Sequence, residues 1–109
     1  IAPDDWLYEG MPWTGFIPDY FFHKAGMLGL TRYMASYLGA SGVRVNTVSP
    51  GGLFNDQGQP FVERYERRTI LGRMANETDL KGAVVFLASD ASAYMTAAHV
   101  VVDGGYTAK

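Results

Sequence analysis

A tyrosine and a lysine stand four residues apart near the start of the chain, at Tyr20 and Lys24. In a helix, side chains at positions i and i+4 lie on the same face, so both could reach one ligand. Lowering the pKa of a phenol from ~10 to ~7 requires about 4 kcal/mol. An ammonium group at ~4 Å supplies roughly 1 to 4 kcal/mol, depending on exposure to water. The pair is therefore a candidate for proton transfer to or from a substrate oxygen atom.

Other interpretations of the polar residues are open. The same pair fits an ordinary helix in which the tyrosine packs and the lysine is solvated. His23 and His99 are the only histidines and lie far apart, so no metal-ligand spacing exists. The charged run from Glu63 to Arg68 is typical of a solvated helix face, although an arginine there could meet an anionic substrate.

Composition excludes several classes of function. The chain has 109 residues, a formal net charge of -2, 48% hydrophobic side chains and no cysteine. Without a basic patch, neither a nucleic acid nor an anionic membrane surface is an expected partner. No apolar run approaches the ~20 residues of a membrane span, and no signal peptide is evident. The absence of cysteine is compatible with a cytoplasmic location, which we predict. The chain begins at Ile1, as a fragment would, and we expect it to be one.

The elements that must position the pair can be read along the chain. We expect an irregular loop or insertion over residues 1 to 18, because prolines, glycines and aromatic residues follow one another there without a period. A long, nearly all-apolar helix should run from about Tyr20 to Leu38, with Asp19 as its N-cap and Gly39 as its left-handed end. A helix of that composition is normally covered on most sides.

The second half alternates strands and helices. The β-branched run from Val43 to Ser49 predicts a strand, closed by Pro50-Gly51-Gly52. A polar helix over residues 60 to 68, in which Phe61 should stack on Tyr65 at i, i+4, is interpreted as a surface lid. An amphipathic helix should follow a cap at Asn76. The run from His99 to Val102 predicts a last short strand. We expect an α/β fold with two parallel strands that packs against further strands outside this chain.

Six short motifs occur in sequence order. They are Tyr20-x-x-x-Lys24-Ala25-Gly26, Gly29-Leu30-Thr31-Arg32, Val43-Arg44-Val45-Asn46, Ser49-Pro50-Gly51-Gly52, Phe86-Leu87-Ala88-Ser89-Asp90 and Val102-Asp103-Gly104-Gly105. Over about residues 18 to 106, these motifs resemble the second half of the short-chain dehydrogenase/reductase family. The resemblance implies that residues 19 to 109 form the C-terminal part of a single Rossmann-like domain with a doubly wound parallel sheet.

The resemblance also implies roles for individual residues. Tyr20 would be the general acid/base for an alcohol or carbonyl substrate, and Lys24 would bind the nicotinamide ribose and lower the tyrosine pKa. Pro50, Gly51 and Leu53 would approach the nicotinamide carboxamide through their backbone. The cofactor would be NAD or NADP, and a homo-oligomer would be expected. The phosphate-binding glycine loop and the catalytic serine and asparagine of the family would lie outside this chain, so residues 1 to 109 would carry half of an active site.

The sequence departs from the family pattern in several places. Phe21, Phe22 and His23 stand where small residues are usual, and at ~100° per residue we expect both phenylalanines to point away from the Tyr-Lys face. Ala97 stands where a glycine is common, and no threonine for a cofactor phosphate is evident after Gly51. Asn46 is expected to satisfy backbone groups and not to touch substrate.

Two functions from different classes therefore compete. One is hydride exchange between a nicotinamide cofactor and a secondary alcohol or ketone, and the aromatic segment Ala2 to Gly10 resembles an insertion found in sugar-related members of the family. The other is a non-catalytic interaction module that dimerises through its long apolar helix.

Overall fold

The computed structural model describes residues 4–12 and 18–108. Within them the chain forms three α-helices and two β-strands, in the order α1 (Pro18–Leu38), β1 (Thr47–Pro50), α2 (Gln59–Arg68), α3 (Lys81–Ala88) and β2 (His99–Val102). Short 3-10 turns occur at Asp5–Tyr8, Gly39–Ser41, Asp90–Ser92 and Tyr106–Ala108. The order of helices and strands is the predicted one, and the α/β class is confirmed.

The two strands pair in parallel, as predicted. Their register runs from Thr47 opposite His99 to Pro50 opposite Val102. In the described part of the chain these two strands make up the whole sheet. The bounds of β2 match the prediction, because Gly104 and Gly105 follow it with φ of 63° and 83° and the chain cannot remain extended there.

Helix α1 differs from its prediction at both ends. It begins at Pro18, so Asp19 lies in the first turn and not at the N-cap. A proline is tolerated in a first turn because its missing N–H needs no partner there. Gly39 does not adopt the left-handed conformation. The helix continues into the turn Gly39–Ser41, and Gly42, with φ of 77°, ends it.

Strand β1 begins at Thr47, four residues later than predicted. The residues before it contact the segment that precedes β2 instead. The Asn46 side chain donates to the Met95 carbonyl at 3.0 Å and accepts from the Ala98 N–H at 3.0 Å. The Val45 carbonyl accepts the Ala97 N–H at 2.7 Å. The expectation that Asn46 satisfies backbone groups is confirmed.

Arg44 joins the entry of β1 to the end of α3. Its guanidinium group donates to four carbonyl oxygens at 2.8 to 3.3 Å, those of Leu87, Ser89, Ser92 and Met95. A planar group with five N–H donors can bind several carbonyls at once. Its positive charge also lies at the negative end of the α3 dipole. The hydrogen bonds of the Arg44 side chain therefore hold this segment in place of the strand pairing that was expected there.

Helix α2 is part of a small core and does not form a free lid. Val62 and Tyr65 are buried on it and pack with side chains from the N-terminal segment, from the loop after α2 and from the C-terminal turn, namely Leu7, Met74 and Tyr106. The predicted i, i+4 stack of Phe61 on Tyr65 is present, with ring centroids 6.0 Å apart. This cluster connects α2 to the chain that follows β2.

Two arginines of α2 fix the N-terminal segment. Arg64 donates to three backbone carbonyls, the shortest bond being 2.6 Å to Glu9. Arg68 forms an ion pair with Asp4 at 2.9 Å and lies over the Tyr106 ring. Both side chains bind groups of the protein itself. The interpretations of this charged run as a solvated face or as a site for an anionic substrate therefore do not apply to Arg64 and Arg68.

The predicted cap at Asn76 forms, but it closes a turn ahead of α3. The Asn76 side chain accepts the Thr78 N–H at 2.9 Å, and the Asp79 carboxylate accepts the Asn76 N–H at 2.7 Å. The second bond is that of a capping box, whereas in the first the Asn76 side chain reaches the second residue after it and not the third. Helix α3 then begins at Lys81, five residues after Asn76.

Much apolar surface of α1 is uncovered. Only Thr31 and Ala35 are buried on this helix, whereas its large exposed side chains include Phe22, Met27, Leu30, Tyr33, Met34 and Tyr37. The radius of gyration is 16.3 Å, compared with about 13 Å for a self-contained domain of this size. The expectation that α1 is covered on most sides is not met by the described residues. None of the described helices has both the length and the apolar character needed to cross a bilayer.

Ala97 adopts a left-handed backbone with φ of 57°. This conformation costs a non-glycine residue roughly 1–2 kcal/mol, whereas a glycine loses about 0.5–1 kcal/mol in added unfolded-chain entropy. We therefore expect Ala97→Gly to raise the free energy of unfolding by about 0.5 kcal/mol in urea titrations. Ala93 has right-handed φ and ψ of -54° and -29°, so Ala93→Gly should lower it. Equal losses in the two variants would contradict the strain at Ala97.

Candidate functional site

Tyr20 and Lys24 lie on one face of α1, close to its N-terminus. The Lys24 Nζ atom is 5.5 Å from the centre of the Tyr20 ring. Tyr20 is 51% exposed, and Lys24 is also exposed. The pair therefore has the arrangement that the spacing predicts, with a cation beside a phenol on an open surface.

The aromatic residues that interrupt the pair behave differently from one another. The Phe21 ring is half-buried and meets the Tyr20 ring edge-on, at 5.2 Å and 88°. Phe22 is 76% exposed and contacts the His23 ring. Phe21 was expected to point away from the Tyr-Lys face, and its ring nevertheless reaches the Tyr20 ring from the neighbouring helix position. Phe21 thus limits the positions open to the Tyr20 ring.

A side-chain hydrogen bond joins α1 to the sheet. The hydroxyl groups of Thr31 on α1 and Thr47 on β1 are 2.6 Å apart. From Thr31 back to Tyr20, α1 covers about 16 Å, and from Thr47 forward to Gly51 the chain covers about 13 Å. Since the chain reverses between α1 and β1, both stretches run from the Thr31–Thr47 contact toward the carboxyl end of the sheet. This geometry favours one shared site there, where open α/β sheets bind ligands.

The turn after β1 is held on several sides. The Gly51 N–H donates to the Val102 carbonyl at 2.9 Å, and the Gly52 N–H donates to the hydroxyl oxygen of Tyr65. A Cβ atom at Gly51 would lie 2.9 Å from the Cα of Asp103, and one at Gly52 would lie 2.8 Å from the Tyr65 ring. The two glycines are therefore required by the protein's own packing. The close approach of a cofactor to the Gly51 backbone, which the resemblance implies, stays a prediction.

Leu53 follows this turn and is 39% exposed. Its carbonyl accepts the Gln57 side-chain amide at 2.9 Å, and it bridges to Ala75. The Leu53 N–H and the Gly51 carbonyl have no hydrogen-bond partner within residues 4–12 and 18–108. A carboxamide has one acceptor and one donor group. These residues therefore fit the carboxamide of a nicotinamide, with Pro50 exposed beside them.

A shallow cavity of about 100 Å³ lies beside the turn, between the ends of β1 and β2. Its charged groups already have partners within the protein. Arg73 binds Asp79 through two hydrogen bonds of 2.7 and 2.8 Å. The Arg73 bonds and the Asn76 N–H lower the pKa of the Asp79 carboxyl to about 2. Hydrogen bonds from Thr107 lower the pKa of Asp103. Neither Tyr20 nor Lys24 lines this cavity.

The residue that sequence reasoning missed is Tyr65. Its predicted stacking with Phe61 indicated a packed side chain, but nothing in the sequence indicates that its hydroxyl oxygen reaches Gly52. Burial raises the pKa of the Tyr65 phenol. A neutral hydroxyl in this position fixes the turn without adding charge.

Histidines do not form a metal site in the described part of the chain. His99 Nε2 lies 2.7 Å from the Ser49 hydroxyl across the two strands. Among the described residues, no group of three histidine, cysteine, aspartate or glutamate side chains could hold a metal ion.

Comparisons with known proteins find reductases and dehydrogenases as relatives of this chain. Residues 11–107 match a family model described as enoyl-(acyl carrier protein) reductase. A Rhizobium meliloti protein named probable galactose dehydrogenase is 40% identical over 95 residues, which are 82% of this chain and 37% of that protein. The L-rhamnose 1-dehydrogenase (NAD(P)(+)) of Azotobacter vinelandii is 42% identical over 88 residues, which are 75% of this chain and 34% of that enzyme.

A solved structure gives the same result in three dimensions. The short chain dehydrogenase from Leptospira borgpetersenii, determined with bound NAD+, matches with a TM-score of 0.79 and 45% identity. The match covers 81% of this chain and 35% of that protein. The chain thus spans little more than a third of the length of these relatives.

Proposed function

The chain belongs to the short-chain dehydrogenase/reductase family, and on that premise we propose that the whole protein exchanges a hydride between a nicotinamide cofactor and a secondary alcohol or ketone. Membership makes β1, β2 and the helices the C-terminal part of a Rossmann-like α/β fold, in which β1 and β2 belong to the parallel sheet. The observation that carries the proposal is the exposed pairing of Tyr20 and Lys24 on one face of α1.

The chemistry is divided between the cofactor and this chain. When bound, the nicotinamide ring accepts or supplies the hydride. In the reducing direction, the Tyr20 hydroxyl gives its proton to the carbonyl oxygen of the substrate as the carbon gains the hydride. In the oxidising direction, the phenolate oxygen takes the hydroxyl proton. The Phe21 ring restrains Tyr20, and the Lys24 ammonium group binds the ribose hydroxyls and stabilises the phenolate.

The turn after β1 has the complementary role of binding. We assign the Leu53 N–H and the Gly51 carbonyl to the carboxamide of the cofactor, with Pro50 fixing the backbone direction between strand and turn. This assignment is supported by the two unpartnered backbone groups at Gly51 and Leu53. NAD or NADP is the expected cofactor, in line with the names of the relatives.

For the substrate we propose a sugar or another polyol. The support comes from two of the relatives, which are named for galactose and L-rhamnose. Specificity within this class depends on parts of the site beyond the residues assigned above. The cytoplasmic location predicted from composition stays a prediction.

A second candidate function is association through α1. The observation in its favour is the row of large apolar side chains exposed on this helix. Such a surface favours burial against another chain or another part of the same protein. We propose a homo-oligomer, and sedimentation of the whole protein would measure its mass. This function is compatible with catalysis, so only an assay of turnover separates an enzyme from a purely structural module.

The decisive assay uses the whole protein that carries this chain. NAD+ and NADP+ are each offered with a panel of aldoses, alditols and simple secondary alcohols, and the absorbance of the reduced nicotinamide is followed. We expect turnover with at least one aldose or alditol. Absence of turnover across the panel, together with absence of cofactor binding in calorimetry, would refute the proposed function and leave the interaction module.

A further inference from the structure

Tyr65 lies under the turn that we assign to cofactor binding, although it belongs to a different element. We infer that Tyr65 is a positioning residue, which holds the turn after β1 so that the Gly51 carbonyl and the Leu53 N–H face the nicotinamide carboxamide. The inference rests on the proposed function. It adds a residue of α2 to a site that the sequence limited to α1 and to the turn itself.

The first step of the argument is that the Tyr65 side chain is itself fixed. It is 7% exposed and belongs to the buried cluster with Leu7, Val62, Met74 and Tyr106. Its ring stacks on Tyr106 at 4.7 Å and 21°. The Tyr65 ring also stacks on Phe61, with ring centroids 6.0 Å apart and an angle of 29° between the ring planes. A ring held in this way cannot move its hydroxyl group without disturbing the core.

The second step is that Tyr65 contacts the turn in two ways. Its hydroxyl oxygen accepts the Gly52 N–H. Its hydroxyl and ring also occupy the space next to both glycines, at 3.0 Å from a Cβ built at Gly51 and 2.8 Å from one built at Gly52. The turn therefore packs against the Tyr65 ring and is hydrogen-bonded to the Tyr65 hydroxyl group.

The third step links the turn to the group that would meet the cofactor. The Gly52 carbonyl accepts the Ala75 N–H at 2.9 Å, and the Phe54 N–H donates to the Ala75 carbonyl at 2.8 Å. Leu53 lies between these two bonded positions, and its own N–H has no partner within the described ranges. The Gly52 carbonyl and the Leu53 N–H belong to one planar peptide unit, so the bond to Ala75 sets the direction of the Leu53 N–H. The Tyr65 bond to the Gly52 N–H holds the preceding peptide unit, which carries the Gly51 carbonyl. Without the Tyr65 bond, the part of the turn nearer to β1, at Gly51 and Gly52, is no longer held by this hydrogen bond.

The test compares two variants of the whole protein, Tyr65→Phe and Tyr106→Phe. Both tyrosines are 7% exposed and belong to the same stack. No hydrogen bond of the Tyr106 hydroxyl occurs in the described part of the chain. Each substitution keeps the ring that fills the core, so both proteins should fold. The difference between them isolates the hydroxyl group that reaches the turn.

Two measurements are made on each variant. For Tyr65→Phe we expect the KM of the cofactor to rise about tenfold, with kcat within about twofold of the parent. This factor corresponds to about 1.4 kcal/mol. Without cofactor, hydrogen–deuterium exchange over residues 51–53 should be faster in Tyr65→Phe. Tyr106→Phe should change neither quantity.

Other results would overturn the inference. If exchange over residues 51–53 accelerates in Tyr65→Phe while the KM of the cofactor is unchanged, the bond is structural only. Equal changes in both variants would show a general loosening of the core. A parent protein without nicotinamide-dependent turnover would instead refute the proposed function and the cofactor role of Tyr65 with it. The exchange data would then still show whether Tyr65 holds the turn, so the two failures can be told apart.

Discussion

Tyr20→Phe should lower the turnover of the whole protein by about 10²- to 10⁴-fold, the range that general acid–base catalysis contributes. The substitution removes the hydroxyl group and keeps the ring, so the edge-on contact with Phe21 is preserved. Cofactor binding should be retained, because Lys24 and the turn after β1 are unchanged. The measurement is kcat with the best substrate of the panel, together with cofactor affinity by calorimetry.

A matched control exists on the same helix. Tyr37 is 73% exposed on α1, and its ring stacks on Tyr33. Tyr37→Phe removes a hydroxyl from a more exposed position on the same helix and should leave kcat within about twofold. If Tyr20→Phe retains parental turnover, Tyr20 is not the proton-transfer residue. If instead cofactor binding is lost together with turnover, the role of Tyr20 is in binding.

Arg44→Met should be the most destabilising single change outside the small aromatic core. The variant removes one donor from each of four backbone carbonyl oxygens, those of Leu87, Ser89, Ser92 and Met95. In the described part of the chain, each of these carbonyls keeps another donor, from Asn46, Ser92 or Met95. A hydrogen bond to a charged group contributes roughly 1.5–3 kcal/mol. Water and the remaining donors replace part of this in a part-buried site, so we expect a loss of roughly 3 kcal/mol. Urea unfolding of the whole protein measures it.

Two further variants define the reason for that loss. Arg44→Lys keeps the charge but replaces the planar fork with a compact ammonium group, and should recover less than half of the stability. Arg67 is exposed on α2, so Arg67→Met removes an arginine from the surface and should change stability by less than about 0.5 kcal/mol. Equal effects of Arg44→Met and Arg67→Met would contradict the assigned role of Arg44.

Strand β2 illustrates what local sequence can predict. Its apolar run from His99 to Val102 ends where Asp103-Gly104-Gly105 begins, and the two glycines take positive φ values. Both the extended run and its end depend on residues within a few positions of each other. The same holds for the spacing of Tyr20 and Lys24, since a helix fixes the relation between positions i and i+4. The sequence therefore predicted these features correctly.

The start of β1 shows the limit of such reasoning. The residues from Val43 to Asn46 have strand-like side chains, yet the ladder begins at Thr47. The carbonyl partners of Arg44 lie 43 to 51 residues further along the chain. A β-branched pattern gives no information about partners at that distance, so it could not indicate that this segment would pair with the end of α3. Only the packed fold brings these groups together.

By itself, the sequence determined the class of fold, the family of the chain and the proton-transfer pair that we propose, because each of these follows from short-range spacing or from motifs in order. Tertiary structure decided which residues support that pair. It placed Tyr65 under Gly52, and it left the Leu53 N–H without a partner in the described ranges. The physical reason is that hydrogen bonds and van der Waals contacts depend on distances in space of a few ångströms, which positions along the chain do not fix.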